Sequence, residues 1–227
     1  TLNASPESIK ALAFELGGRA YNAYAYFSKK KAGERKRAVL IIPGSGINQS
    51  SGLFLSDSRN YHYNIMSAFP NDDVYVFIKP NEDAYAFHRG AGKLDDAFIV
   101  NWHLNRGSSY SAAYITQSIA FSKFLKVHYS EVVVAGLSQG GGAALLNALQ
   151  SEPDYAIVAS GFSIINKYVE WSGFNQIVIP NVGSMFDFIE EPISKLKTRF
   201  LFTYGRREYG TYRMEAMERL AAKKLDR

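Results

Sequence analysis

The chain has 227 residues, 47% of them hydrophobic, a formal net charge of +5 and no cysteine. That length can bury enough apolar surface for one well-filled core, and the lack of cysteine excludes disulfides, thiolate nucleophiles and thiolate metal sites while leaving redox compartment and localisation undetermined. No apolar run approaches a membrane span and no basic-then-apolar segment opens the chain, so a single soluble domain over 1–227 is expected, with no membrane span.

In chain order, an apolar run at 12–16, the pair Gly17-Gly18 and an alternating stretch at 20–27 predict an antiparallel hairpin. The cluster Lys29, Lys30, Lys31, Arg35, Lys36 and Arg37 follows. It reads as a solvated turn between strands, because a nucleic-acid surface pairs its basic face with exposed aromatics; no nucleic-acid partner is expected. Continuous apolar runs at 38–42, 74–78, 132–135, 155–159 and 200–203 predict strands buried on both faces. Their alternation with helix-length segments implies parallel crossovers: an α/β fold with a mostly parallel sheet and helices on both faces.

Helical spacing occupies 61–68, 111–128, 141–149 and 212–225. The longest of these carries Ile115, Ile119, Phe121, Phe124 and Leu125 on one broad apolar face. Residues 80–107 show no clear period and read as a long loop over the strand ends. The aromatic-rich stretch at about 162–195 reads as a second insertion, a small lid. Asp72-Asp73 and Asp95-Asp96 read as solvated turns.

The chemistry centres on Gly136-Leu137-Ser138-Gln139-Gly140, which directly follows a predicted strand and opens a predicted helix. Strand, sharp turn and helix are the context of a nucleophile elbow. Such a turn needs small residues two before and two after the nucleophile, and Gly136 and Gly140 provide them. Gly141, Gly142, Ala143 and Ala144 would let the helix lie close to the sheet, and its N-terminal dipole favours an anion at Ser138. Upstream, Pro43-Gly44-Ser45-Gly46-Ile47-Asn48 breaks a buried strand into a glycine-rich loop. An N–H of Gly46 or Ile47 could there join that of Gln139 as an oxyanion hole, with Ser45 and Asn48 as side-chain helpers; a plain turn is the other reading of this loop.

On these residues the chain resembles the α/β-hydrolase superfamily, and within it the esterase and dienelactone-hydrolase-like branch. The resemblance runs from the opening hairpin to the last helix and includes Tyr204-Gly205-Arg206-Arg207-Glu208 after the strand at 200–203. It implies a serine esterase with Ser138 as nucleophile and Glu208, in place of the family's aspartate, as the acid that orients a histidine; Asp187 is the second choice. The family order is serine, acid, histidine, whereas His62, His88, His103 and His128 all precede Ser138. By this resemblance the chain as given lacks the last strand and the histidine loop, which leaves a non-catalytic binding protein of the same fold as the alternative.

His88 and His103, in the stretch read as a long loop, are expected to bind substrate or lie at the surface. His62 and His128 have ordinary helical accounts. Trp171, with Tyr85, Phe87, Trp102, Tyr168 and Phe174, fits either a pocket for an apolar acyl group or core packing. No metal-ligand spacing, phosphate loop or dinucleotide fingerprint is present, so no metal or cofactor is expected. The expected partner is a small-molecule ester.

Overall fold

The computed structural model describes residues 9–28, 37–54, 65–89, 96–161, 179 and 190–205. The chain opens with the hairpin of β1 (Ile9–Leu16) and β2 (Arg19–Ser28). Its two-residue turn is Gly17-Gly18, with φ of 56° and 73°. Both turn positions need a positive φ to match the strand twist, which is why glycine occupies both.

The parallel part of the sheet comprises β3 (Arg37–Ile42), β4 (Asp73–Ile78), β5 (Glu131–Leu137), β6 (Tyr155–Ala159) and β7 (Arg199–Thr203). The order is β1-β2-β4-β3-β5-β6-β7, with β1 to β2 and β2 to β4 antiparallel and every other pairing parallel. The expected mostly parallel sheet with an antiparallel hairpin is thus present. Since parallel strands must be joined by crossovers, all five of these strands end at the same edge, and the loops leaving that edge meet there.

Between the strands lie α1 (Gln49–Phe54), α2 (Asp83–Arg89), α3 (Asp96–Leu104), α4 (Tyr110–His128), α5 (Gln139–Ser151) and α6 (Glu190–Lys195). Successive residues of the central strands feed opposite faces. Leu40, Ile42, Tyr75, Phe77 and Val134 pack with Tyr114, Phe121 and Leu125 of α4 and Leu145 of α5. Val39, Ile41, Val74, Val76 and Val133 pack on the other face with Leu53 of α1, Met66 and Phe69. Both cores are shut to solvent, which explains the unbroken apolar runs.

One buried device sets the start of α4 and another ties α4 to α5. Ser109 caps α4, its hydroxyl accepting from the Ala112 N–H at 3.2 Å. Asn147 of α5 then locks the two helices together: its Oδ1 accepts from Ser122 at 3.0 Å and Ser151 at 2.7 Å, and its Nδ2 donates to Ser118 at 2.9 Å. A buried amide satisfied on both ends fixes the register of the helix that carries Gln139 at its first turn.

Several expectations need correction. Residues 80–107 are not one loop, for α2 and α3 occupy much of it. The helical reading of 61–68 meets only a 3-10 turn at Ile65–Ala68, with 61–64 outside the described residues. Asp72 is not a solvated turn residue. It is 1% exposed and accepts from Arg37 Nε at 2.7 Å and Nη2 at 2.9 Å, so Arg37 too serves the fold. The lid reading and the helix expected at 212–225 fall almost wholly or wholly outside the described residues.

Candidate active site

Ser138 sits between the end of β5 and the start of α5 with φ 59° and ψ −125°. An L-residue at that backbone setting carries strain of about 1–3 kcal/mol and persists only where its surroundings dictate it. Here they do. The Ser138 N–H donates to the Ala159 carbonyl at 2.8 Å, and its carbonyl accepts from the Gly141 and Gly142 N–H groups at 2.9 and 3.2 Å.

The flanking glycines are required by close approach. A Cβ on Gly136 would collide with the carbonyl oxygen of Gly140, and one on Gly140 would collide with the carbonyl of Ile42 and lie 2.7 Å from that of Pro43. The second contact matters for function, because it seats the elbow directly against the end of β3, where the glycine-rich loop begins. On the other side, Gly161 backs onto Gly141 and Gly142 with no room for a side chain.

The loop leaving β3 is gripped by the segment leaving β4. Lys79 Nζ donates to the Gly44 carbonyl at 2.5 Å, Asn81 Nδ2 to the Gly46 carbonyl at 3.4 Å, and the Asp83 N–H to the Ile47 carbonyl at 3.1 Å. Glu82 accepts from the Ser50 N–H at 2.9 Å and from the Ser50 hydroxyl. Gly46 itself has φ 131°, a setting that favours glycine. The loop is therefore held through three of its carbonyls by the segment that follows β4.

Lys79 and Glu82 are each 1% exposed and were not anticipated. Burial pushes the Glu82 carboxyl above the usual range, opposed by the Lys79 charge and by the bonds from Ser50. The signal was there to be read: a lysine directly continues the apolar run 74–78, at the edge where ligands bind in parallel sheets.

The remaining candidates are dispersed. His103 ends α3, its Nδ1 facing Ser108 Oγ at 2.9 Å, and its pKa is lowered first by burial and then by Arg106. His128 ends α4 with its Nδ1 donating to the Phe124 carbonyl at 2.9 Å. Both rings thus have partners close by in the sequence. His88 belongs to α2, not to a loop, and its ring lies outside the described residues, as do His62, Trp171, Asp187 and Glu208. Tyr85 is buried against Tyr24 with ring centroids 5.2 Å apart, whereas Trp102 is 43% exposed under the Arg106 guanidinium. No group of metal ligands occurs among the described residues, and no described helix is long and apolar enough to cross a membrane.

The fold has counterparts among solved structures. The chain is similar over 96% of its length to a candidate dienelactone hydrolase from Klebsiella pneumoniae, covering 81% of that chain at 12% identity with a TM-score of 0.52. It is similar over 96% to the esterase Pf2001 of Pyrococcus furiosus, covering 78% of that chain at 13% identity with a TM-score of 0.54. A candidate acetyl xylan esterase from Bacteroides fragilis matches over 95% of this chain and 63% of its own, at 15% identity with a TM-score of 0.58. The chain has the α/β-hydrolase fold. At these identities the likeness is one of architecture. No family model matches the sequence, and no curated protein matches it.

Proposed function

We propose that this α/β-hydrolase-fold chain is a serine esterase that hydrolyses a small-molecule ester through an acyl-enzyme on Ser138. The backbone of Ser138 carries the reading. A serine held at φ 59°, at the carboxyl edge of a parallel sheet and between two positions closed to any Cβ, is strain maintained at a site where an exposed nucleophile is useful. The esterases among the structural neighbours supply the substrate class.

In this mechanism Ser138 Oγ bonds to the ester carbonyl carbon as its proton passes to a base, and the carbonyl π electrons move onto oxygen. The N–H of Gln139 and that of Gly46 or Ile47 donate to the oxyanion, and the N-terminal end of α5 favours its charge. Collapse breaks the bond to the alcohol, which leaves with the proton. Water repeats the attack, releases the carboxylic acid and restores the serine. Glu208 is the candidate acid that would orient an imidazole base, with Asp187 behind it, although none of the four histidines is assigned as that base; His88, His103 and Trp171 are candidate substrate contacts.

A fluorophosphonate probe tests the reading. One label per chain is expected on Ser138, none on the Ser138→Ala variant, and turnover of p-nitrophenyl esters should follow acyl length. A folded wild-type chain that neither labels nor turns over any of these esters counts against the esterase reading and favours the binding protein of the same fold.

A further inference from the structure

Lys79 follows the last residue of β4 and is 1% exposed. An ammonium taken this far out of water is costly unless it is hydrogen-bonded and compensated. Its hydrogen bonds go to two separate segments: the Gly44 carbonyl at 2.5 Å, in the loop after β3, and Gln139 Oε1 at 3.0 Å, on the residue next to Ser138. These are the two segments from which the oxyanion donors would come. One buried side chain therefore spans both halves of the candidate oxyanion hole.

The surrounding contacts reinforce the span. Across a trans peptide the carbonyl and the following N–H point in opposite directions, so binding the Gly44 oxygen fixes the peptide that leads into Gly46, and binding the Gly46 oxygen fixes where the Ile47 N–H points. Tyr110 at the start of α4 donates to Asn81 Oδ1 at 2.5 Å, and Asn81 in turn holds the Gly46 carbonyl. The compensating charge, Glu82, is occupied with Ser50 at the start of α1, so the cation rather than the anion is the charge bonded to Gln139.

We propose that Lys79 is a positioning residue of the oxyanion hole: its ammonium ties the 44–47 loop to Gln139 so that N–H donors from both converge on the acyl oxygen. This inference rests on the esterase reading and deepens it. A preorganised pair of donors stabilises the oxyanion without rearrangement during reaction, so loosening it lowers the rate of attack rather than the affinity for the ester.

The test uses the full chain in four forms: wild type, Lys79→Met, Glu82→Gln and the double variant. Lys79→Met leaves Glu82 buried without its counter-charge and can fail to fold. The double variant removes both charges and keeps the test available. In the double variant the second-order rate of fluorophosphonate labelling at Ser138 should fall about 100-fold, and kcat for a p-nitrophenyl ester should fall by a similar factor with KM little changed. Glu82→Gln strands the Lys79 ammonium in the same way and is read only as the folded fraction; folded, it keeps the ammonium and should label within about tenfold of wild type, since the amide oxygen can still accept from Ser50. The Gly44 carbonyl carbon resonance should move when Lys79 is replaced and stay when only Glu82 is. A folded double variant that labels at the wild-type rate with its Gly44 resonance unmoved overturns the proposal. A wild type that does not label, but whose Gly44 resonance moves on replacing Lys79, overturns the esterase reading and with it the catalytic purpose of this tie.

Discussion

Gly136 faces Gly140 so closely across the Ser138 turn that a Cβ on Gly136 would overlap the Gly140 carbonyl oxygen. The neighbouring atom is backbone at the first turn of α5, so it cannot swing aside as a side chain would. Gly136→Ala must therefore open the elbow or displace the helix, and overpacking of this kind costs about 1–3 kcal/mol. The expected result is a folded but less stable chain that labels poorly with a fluorophosphonate. Urea denaturation and labelling on the same preparation check it. Wild-type labelling by Gly136→Ala would mean that the turn is looser than described.

Ser138→Gly is expected to be more stable than Ser138→Ala by about 1 kcal/mol, because glycine meets φ 59° without the penalty that any Cβ carries. At an ordinary position the order is reversed, since glycine has more conformational freedom to lose. The sign of the difference, read from paired denaturation curves, measures whether the elbow is strained. Neither variant should label. Equal stability, or alanine above glycine, would remove strain as the argument for Ser138.

Arg37 and Asp72 tie the starts of β3 and β4 together, with Glu131 at the start of β5 4.0 Å from the Arg37 guanidinium. This clamp lies at the sheet edge opposite Ser138. Arg37→Ala strands a buried carboxylate, and with Arg37 partly exposed the expected loss is about 2–3 kcal/mol, at the low end for a broken buried pair. Labelling of the folded variant at Ser138 should match wild type. A thermal melt with parallel labelling separates the two effects, and a slowed label without lost stability would contradict the assignment of this pair to the fold.

The sheet was legible because each central strand sends side chains to two dry faces and so appears as an unbroken apolar run, as at 38–42 and 132–135. The tight turn at Ser138 was legible because close approach admits only glycine at 136 and 140. What escaped was structure without a one-sided pattern. In α3, Phe98 and Trp102 are exposed while Ile99 is buried, so apolar residues surround the helix and no period emerges. The α1 sequence Gln49-Ser50-Ser51-Gly52-Leu53-Phe54 is short and small, and reads as loop. Lys79, Asn81 and Glu82 read as a polar turn because their partners Gly44, Gly46, Ser50 and Gln139 are distant in sequence and meet only when β3, β4 and β5 are aligned.

The His103 ring should titrate below 6.5, since burial, the larger cause, and the nearby Arg106 charge both disfavour its cation. The sign for stability follows. Because the folded chain holds this proton less tightly than the unfolded chain, the contribution of the neutral ring is fully present above 6.5 and is lost as pH falls through the folded-state value. His103→Gln should therefore flatten the acid side of the stability profile, read from urea denaturation at a series of pH values. Arg106→Gln should raise the midpoint of the His103 titration seen by NMR, yet leave it below 6.5, because removing the charge leaves the burial in place. A midpoint above 6.5 in the wild type would require an anionic partner for the ring.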